Sequence, residues 1–281
     1  MSGAGSRRGK RKMSVSPWMR TMSARALVRL WSVFGEPLWV VVNMGFPVLS
    51  SLALSLLYYS IGATDYIGFA VLGGVMVSFW GNVLWSMASQ FNWDKQEGLF
   101  EIYLTSPASI TAILIGMSVG GIVATVPSAI IVTAVGWGLF HPAINASWGG
   151  VALTFALTLA SLYAMGMVLS SLYLTYGREA ESFNEVLQEP VSMLSGLYFP
   201  ALGSQSPFPL AIQAVASLIP LTIGMDALRK TLFYGNSVGQ VWLDLVVLAV
   251  MAAVLLFLST FFLRLLENRG RKEGTISVRI R

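Results

Sequence analysis

Six long apolar runs occupy most of the sequence, and they restrict the chain to folds that are stable inside a lipid bilayer. A bilayer core of about 30 Å needs about 20 apolar residues of helix to cross it. Because lipid cannot satisfy free backbone N–H and C=O groups, each run should be helical. Charged residues make up only 11% of the chain, against about 25% in soluble domains. We therefore predict an all-α membrane protein whose six spans lie at about 37–60, 67–91, 108–139, 150–176, 185–203 and 240–264.

The distribution of lysine and arginine predicts the orientation of the spans. Eight of these residues precede the first span, Lys95 and Arg178 lie in two loops on the same side, and six occur from Arg264 onward. Only Arg229 and Lys230 fall on the other side. Because positive residues collect in cytoplasmic loops, we expect a multi-pass cell-membrane protein with both termini in the cytoplasm.

Residues 16–35 predict a basic amphipathic helix ahead of the first span. Ser16-Pro17 is a favourable helix start, since serine caps well and proline is tolerated at the first position. Arg25 and Arg29 share one face of this helix. The opposite face carries the apolar residues Met19, Ala26, Leu27, Leu30, Trp31 and Phe34. Such a helix lies in the plane of the membrane interface; the alternative is that the arginines only fix the topology.

A charged segment separates the second span from the third. Asp94 and Glu97 have the spacing of a capping box, and Ser106-Pro107 ends the segment. This pattern predicts a short helix over 94–106 at the cytoplasmic surface, where another protein could contact it. The alternative is an ordinary loop between two spans.

The segment 205–236 is apolar but is divided by Pro220 into pieces too short to span. It predicts two short outer helices that form a re-entrant hairpin, since backbone at that depth must be satisfied within the protein. A pair of additional spans is the alternative. Pro220 and the charges at Asp226, Arg229 and Lys230 argue against it.

These elements divide the chain into four parts. Residues 1–15 are predicted to be a disordered basic tail with affinity for anionic lipid, and 16–35 the amphipathic helix. Residues 36–265 form the six-span domain, and 266–281 a basic cytoplasmic tail. Because the net charge of +5 comes from the two ends of the chain, it does not indicate a nucleic-acid partner.

Gly116 and Gly120 form a G-x-x-x-G pair in the third span. Small residues at this spacing allow two helices in a membrane to approach closely. The contact they make could lie within one subunit or between two subunits.

The sequence offers little support for chemistry within the chain. No G-x-x-x-x-G-K-[ST] loop occurs, which excludes ATP binding by that route, and no cluster has metal-ligand spacing, so we assign no catalytic or metal-binding residue. Ion-coupled carriers usually need ionisable groups near the bilayer middle. Glu185 and Glu189 share a helix face at the start of the fifth span. They are interpreted as solvated carboxylates at the interface, or as side chains that face a partner or a cation.

Three motifs follow one another along the predicted spans. The first is the charged stretch Lys95–Pro107, in which Leu99 stands after Gly98; the second is Pro190–Pro200, with Ser-Gly followed by aromatic residues and proline; the third is Pro220–Arg229. Over about residues 17–265 the chain resembles the membrane subunit of an ABC exporter, of the ABC-2 permease type. Family members often have threonine where Leu99 stands. The Ser-Gly-aromatic-Pro motif is more similar to the drug-resistance branch than to the glycan-export branch.

The resemblance implies the partners of the chain. A separate cytoplasmic ABC ATPase would bind ATP and Mg, so this chain would be a transport subunit without enzymatic activity or bound cofactor. It would pair with a second copy of itself or a homologue, in the inner membrane of a prokaryote, surrounded by lipid. The residues implied in contact with the ATPase are Glu97, Gly98, Phe100, Glu101, Tyr103 and Leu104, with Arg25 and Arg29 as a second contact.

The resemblance also implies a function. The chain would help to export a hydrophobic or amphipathic compound, drug-like or lipid-like, along a path between the first, second and fifth spans. An exporter of lipid-linked glycan with the same architecture and an ion-coupled secondary carrier are the alternatives. The residues implied in the path are Asn43, Asn82, Trp85, Met193 and Tyr198. Aromatic residues near span ends also occur as interfacial belts, which is the alternative role for Tyr198.

Overall fold

Helices account for all regular structure in the residues that the computed structural model describes, which are 16–90, 93–94, 97–98, 102–103, 109–176 and 180–273. The first four are α1 (Pro17–Gly35), α2 (Pro37–Ser60), α3 (Ile67–Gly81) and α4 (Ile110–Phe140). They are followed by α5 (Trp148–Tyr176), α6 (Ala180–Leu194), α7 (Leu210–Ala216), α8 (Pro220–Leu232) and α9 (Trp242–Glu273). A 3₁₀ turn at Thr64–Tyr66 precedes α3, and a π-helix at Asn82–Ala88 continues it.

Five segments are long and apolar enough to cross a bilayer, and the all-α membrane class is confirmed. The bent pair α7–α8 is a sixth candidate if its two helices count as one span; they meet at 101°. This pair occupies the place of the two short outer helices predicted at 205–236. The five segments are Val40–Ser60, Thr64–Ala88, Ile110–Phe140, Trp148–Tyr173 and Trp242–Leu265.

The fifth predicted span differs from its prediction, because α6 ends at Leu194 instead of continuing to residue 203. Its 15 residues extend about 22 Å, which is less than the bilayer core of about 30 Å. Gly196 follows in a left-handed conformation, with φ +67°, which glycine adopts without a steric penalty. The chain therefore turns away from the helix axis where periodicity alone predicted more helix.

The segment from Asn184 to Tyr198 nevertheless extends between the two ends of the bundle. At one end, Asn184 Nδ2 donates to Ser89 Oγ at 2.6 Å, just beyond the π-helix. At the other end, Tyr58 in the last turn of α2 donates to the Tyr198 carbonyl at 2.7 Å. A helix followed by a non-helical turn thus takes the place of a single straight span.

The centre of the bundle is α3, with 89% of its apolar window buried, whereas only 17% of the α2 window is buried. Side chains such as Met76, Phe79 and Trp80 are almost fully enclosed. Gly73 lies against the turn after α6, where an added Cβ would fall 1.9 Å from the Leu197 carbonyl oxygen. The absence of a side chain at Gly73 therefore allows this close backbone contact.

Helix α1 packs against α4 through the predicted glycine pair. An added Cβ on Gly116 would lie 2.5 Å from the Met22 carbonyl oxygen, and one on Gly120 would lie 2.8 Å from the Ala26 carbonyl oxygen. The sequence left open whether this pair contacts its own subunit or another. In the structure it accommodates α1 of the same chain.

The faces of α1 point in unexpected directions. Arg25 and Arg29 face the bundle, while Leu27, Trp31 and Phe34 are exposed, Trp31 by 82%. The basic face is therefore packed inside the protein and the apolar face is turned to the surroundings. Ser16 caps the helix as predicted, since its Oγ accepts from Met19 N at 3.3 Å. The location of α1 in a membrane interface stays a prediction.

Helix α8 holds the turn that follows α6. The buried Arg229 guanidinium donates to the Gly196 carbonyl and lies 4.9 Å from the centroid of the Phe69 ring. Lys230 Nζ bridges Asp226 at 2.6 Å and Asp244 at 2.8 Å, which joins α8 to α9. These contacts fix the end of the bundle opposite α1.

Candidate functional site

A cavity of about 370 Å³ lies between α2, α3 and α6. Its volume falls within the range of about 300–1,000 Å³ that is common for small-molecule sites. Asn43, Trp85 and Tyr198, which sequence reasoning placed in a substrate path, all line it. Aliphatic and aromatic side chains from α2, including Phe46, complete one wall.

Gln188 orients two indole rings in the cavity wall. Trp85 Nε1 donates to Gln188 Oε1 at 2.6 Å, and Trp80 Nε1 donates to the Gln188 carbonyl at 3.4 Å. Residues five apart in an α-helix differ by about 140° around the axis. The π-helix at Asn82–Ala88 has wider turns with i→i+5 hydrogen bonds. These turns bring Trp80 and Trp85 towards one face, where a single glutamine reaches both.

Glu189 is the one charged side chain that lines this cavity within the described part of the chain. The sequence indicated solvated carboxylates at residues 185 and 189, or contacts with a partner or a cation. The structure separates the two, because Glu185 does not line the cavity and Glu189 does. Helical periodicity put both on one face, and only the packing of α6 against α3 distinguishes them.

The other two residues predicted in the path occupy different places. Asn82 lines a smaller cavity of about 60 Å³ together with Arg29 and Asn43, and its Oδ1 accepts from Tyr163 OH at 2.8 Å. Met193 is 52% exposed and does not line either cavity. The structure therefore joins three of the five predicted residues, and Asn43 connects the two cavities.

A buried carboxylate organises the end of the bundle near α1. Asp94 accepts hydrogen bonds from Arg25 Nη2 at 2.7 Å, from Gln90 Nε2 at 2.8 Å and from Tyr103 OH at 2.9 Å. Its side chain is only 2% exposed, and that of Arg25 is 16% exposed. Arg29 donates to the Gln90 amide oxygen at 2.9 Å. We call these five residues the Asp94 network.

Burial changes the titration of two groups in the Asp94 network. Burial, and secondly the nearby Arg25 charge, lower the pKa of the Arg29 guanidinium to about 10. Burial raises the pKa of the Tyr103 hydroxyl to about 12; the Asp94 carboxylate acts in the same direction and the Arg25 charge opposes it. At neutral pH Arg29 thus keeps its charge, and Tyr103 keeps the proton that it donates to Asp94.

The segment predicted as one helix over 94–106 is interrupted. Trp93 and Asp94 are helical, so Asp94 does not occupy the non-helical position of a helix cap. Glu97 and Gly98 form an exposed turn in which Gly98 has φ +79°, a conformation that commonly ends helices. Ile102 and Tyr103 are helical again.

The structure describes only some of the residues predicted to contact an ATPase. Phe100, Glu101 and Leu104 lie outside the described residues. Glu97 and Gly98 are exposed. Tyr103, Arg25 and Arg29 bind partners within the chain through their polar groups, so a direct ionic contact of either arginine with another protein would compete with these bonds.

Comparison with known proteins relates the chain to a family of membrane proteins. A family model described as ABC-2 type transporter matches residues 19–233, about three quarters of the chain. The matched region extends from the first turn of α1 to the residue after α8 and includes the cavity and the Asp94 network. No curated protein sequence matches the chain.

Proposed function

The chain belongs to the ABC-2 type transporter family, and from this premise we propose that it is the permease of an ATP-driven exporter of hydrophobic or amphipathic compounds. Membership makes it a transmembrane subunit of an ABC transporter, a class that is normally non-enzymatic and works with an ABC ATPase. The outward direction and the amphipathic substrate are our proposal. The cavity between α2, α3 and α6 is the observation that carries it.

The cavity suits an amphipathic compound. Apolar and aromatic walls favour burial of hydrocarbon, while Asn43, Gln188 and Ser192 supply a few hydrogen-bonding groups. This combination of mostly apolar walls and a few polar groups is typical of small-molecule sites. We propose that the cavity is the substrate site on the transport path.

A second copy of the chain would close this cavity. Val42 and Phe46 line it and are also more than half exposed. The low burial of α2 leaves an apolar surface that either lipid or another subunit must cover. We propose that a second copy covers this face, so that two cavities meet at the subunit boundary.

The Asp94 network is the proposed link to the ATPase. In this scheme the ATPase contacts the exposed turn at Glu97 and Gly98, together with Phe100, Glu101 and Leu104. Movement of this segment would pull on Asp94, which connects to α1 through Arg25 and to the end of the π-helix through Gln90. Arg25 and Arg29 then act as positioning residues within the chain, in place of the direct contact implied by the resemblance.

We propose that this end of the bundle faces the cytoplasm. The surplus of Lys and Arg in the loops at this end supports the orientation, and an ATPase would require it. The membrane is then the cell membrane, with both termini on the cytoplasmic side.

The proposal is tested by isolating the full chain from its own host in mild detergent and identifying co-eluting chains by mass spectrometry. A stoichiometric P-loop ATPase is the expected result. In proteoliposomes, the complex should move an amphipathic fluorescent dye away from the side on which ATP is hydrolysed. The rate of ATP hydrolysis should rise when the dye is added.

A matched pair of variants sharpens the experiment. Replacing Glu101 and Tyr103 together by alanine should abolish dye movement, while Glu185→Gln, an exposed change outside the cavity, should retain it. Isolation of this chain without an ATPase, with dye movement that follows an ion gradient, would instead establish the secondary carrier.

A further inference from the structure

The cavity carries a negative charge that its walls do not neutralise. Glu189 lines it, and no Lys or Arg of the described residues lies within 4.0 Å of this carboxylate. The nearest cavity with a cation contains Arg29, whose guanidinium donates to Gln90. Glu189 is an exposed residue of α6, so its carboxylate can be reached from outside the chain. Its place in the cavity wall therefore leaves it available to pair with a positive group from outside the described chain.

Aromatic rings surround the same space. Trp80, Trp85 and Tyr198 line the cavity together with Glu189, and Gln188 fixes both indoles by hydrogen bonds. Faces of electron-rich rings attract cations, tryptophan most strongly. A carboxylate among such rings is the arrangement that recognises organic cations.

The backbone beside Glu189 adds to the negative potential. Pro190 follows it inside α6 and has no N–H group to donate. The carbonyl oxygen of Val186, one turn earlier, consequently lacks its usual helical donor. A partial negative charge thus lies in the same turn as the Glu189 carboxylate.

We propose that the transported compound is an amphipathic cation, whose charge pairs with Glu189 and whose apolar part lies against Trp80, Trp85 and Phe46. This inference rests on the proposed function, because it assigns the substrate class of that same cavity. A neutral compound of equal size would lack this attraction, and an anionic one would be repelled by the carboxylate, so both would bind more weakly.

The test measures binding to the full chain in nanodiscs by equilibrium dialysis, which requires no ATPase. Tetraphenylphosphonium and tetraphenylborate have the same shape and opposite charge, so they separate the effect of charge from that of size. Wild-type protein should prefer the phosphonium. Glu189→Gln should weaken phosphonium binding about tenfold or more and leave tetraphenylborate binding equal or tighter.

Two further variants control for folding and for nonspecific charge. Glu189→Asp keeps the charge and should restore phosphonium binding to within about threefold of wild type. Glu185→Gln removes a charge one turn away, outside the cavity, and should bind both ions like the wild type. Empty nanodiscs provide the lipid background for both ions.

The possible failures are distinguishable. Equal phosphonium binding by wild type and Glu189→Gln overturns the inference, and the exporter proposal stands if ATP hydrolysis by the complex still responds to a neutral compound such as triphenylphosphine oxide. If wild type and Glu189→Gln bind the phosphonium equally, and Glu189→Gln also loses the dimer on size-exclusion chromatography, Glu189 pairs with a second copy instead. Absence of an ATPase refutes the exporter proposal, while the binding assay still decides the charge preference.

Discussion

Asp94 illustrates how much of the arrangement depends on single side chains. Its carboxylate accepts from Arg25 in α1, from Gln90 after the π-helix and from Tyr103 in the following segment. Each donor comes from a different part of the chain, so one nearly buried charge fixes three positions at once. Hydrogen bonds to charged groups contribute about 1.5–3 kcal/mol each. Substitution of Asp94 should therefore lower the stability of the protein.

Asp94→Asn should destabilise the protein by about 1.5–3 kcal/mol, because the half-buried Arg25 guanidinium loses its counter-charge. Thermal unfolding in detergent, followed by circular dichroism, measures the change. A double-mutant cycle with Arg25→Gln isolates the pair: the double variant should be less destabilised than the two single effects added. Strict additivity would mean that the ion pair contributes nothing.

Tyr103 provides a pH-dependent test. Burial raises the pKa of its hydroxyl to about 12, above the ordinary value of about 10, so the folded state holds the proton more tightly than the unfolded state. The stabilisation is therefore complete below about pH 10 and is lost as pH rises through about 12. Thermal unfolding between pH 9 and 12 should show this decline, and Tyr103→Phe should reduce its slope. An identical slope in both proteins would contradict the raised pKa.

Residue types and local patterns predicted part of the site and missed the rest for a physical reason. Asn43 and Trp85 could be placed because the family resemblance implied a path between the first, second and fifth spans, in which polar and aromatic residues stand out. Asp94 was recognised as the start of a segment, but its partner Arg25 is 69 residues away, and no local pattern connects them. Helical periodicity placed Glu185 and Glu189 on one face, and tertiary packing decides that Glu189 lines the cavity while Glu185 does not.

At the scale of elements, the contact between α1 and α4 depends on two missing side chains. Gly116 and Gly120 let the α1 backbone approach so closely that an added methyl group would overlap carbonyl oxygens of Met22 and Ala26. Neither carbonyl can move unless α1 moves as a whole. The position of α1, and with it that of Arg25, therefore depends on this glycine pair.

Gly116→Ala and Gly120→Ala should each destabilise the protein by about 1–3 kcal/mol through this overlap. They should also increase hydrogen exchange in α1, measured by mass spectrometry. Gly138→Ala in the same helix is the matched control, because nothing lies within 4 Å of its added Cβ; it should stabilise by about 0.5–1 kcal/mol. Equal effects at all three positions would exclude a specific contact with α1.

The elements themselves were largely predictable, with two exceptions that have clear causes. Apolar length predicted the spans, and Ser16-Pro17 and Pro220 predicted the starts of α1 and α8. The π-helix was missed because its hydrogen-bond shift leaves no mark in apolar periodicity. The early end of α6 was missed because the apolar run continues past Gly196, whereas the positive φ of Gly196 turns the chain.

Of the five candidate spans in the described residues, α2 has the least buried apolar window. Helix α2 is only 17% buried in its apolar window, although it forms one wall of the cavity. Other exposed apolar surface, such as that of α9 with 22% of its window buried, does not adjoin the cavity lining. In the proposed dimer, a second copy on the face of α2 would both bury apolar area and enclose a substrate.

Val42→Cys should form a disulfide between two copies under mild oxidation, detected as a dimer on non-reducing gels. The chain contains no cysteine, so any cross-link must come from the introduced residue. Val123→Cys on α4 is the control, since it is 49% exposed compared with 54% for Val42 but does not line the cavity. A dimer band only at position 123 would place the subunit boundary elsewhere.

The contact between α1 and Asp94 also affects the order in which parts of the chain reach their final positions during synthesis. Arg25 and Asp94 lie 69 residues apart, and a ribosome adding about 5–20 residues per second needs roughly 3–14 s to make that stretch. Gly116 and Gly120 emerge later still. During this interval Asp94 and Gln90, which accept from Arg25 and Arg29 in the folded structure, have not been made, so we expect water and lipid head groups to solvate these two guanidinium groups. Helix α1, although made first, therefore reaches its final place only after α4 has been synthesised.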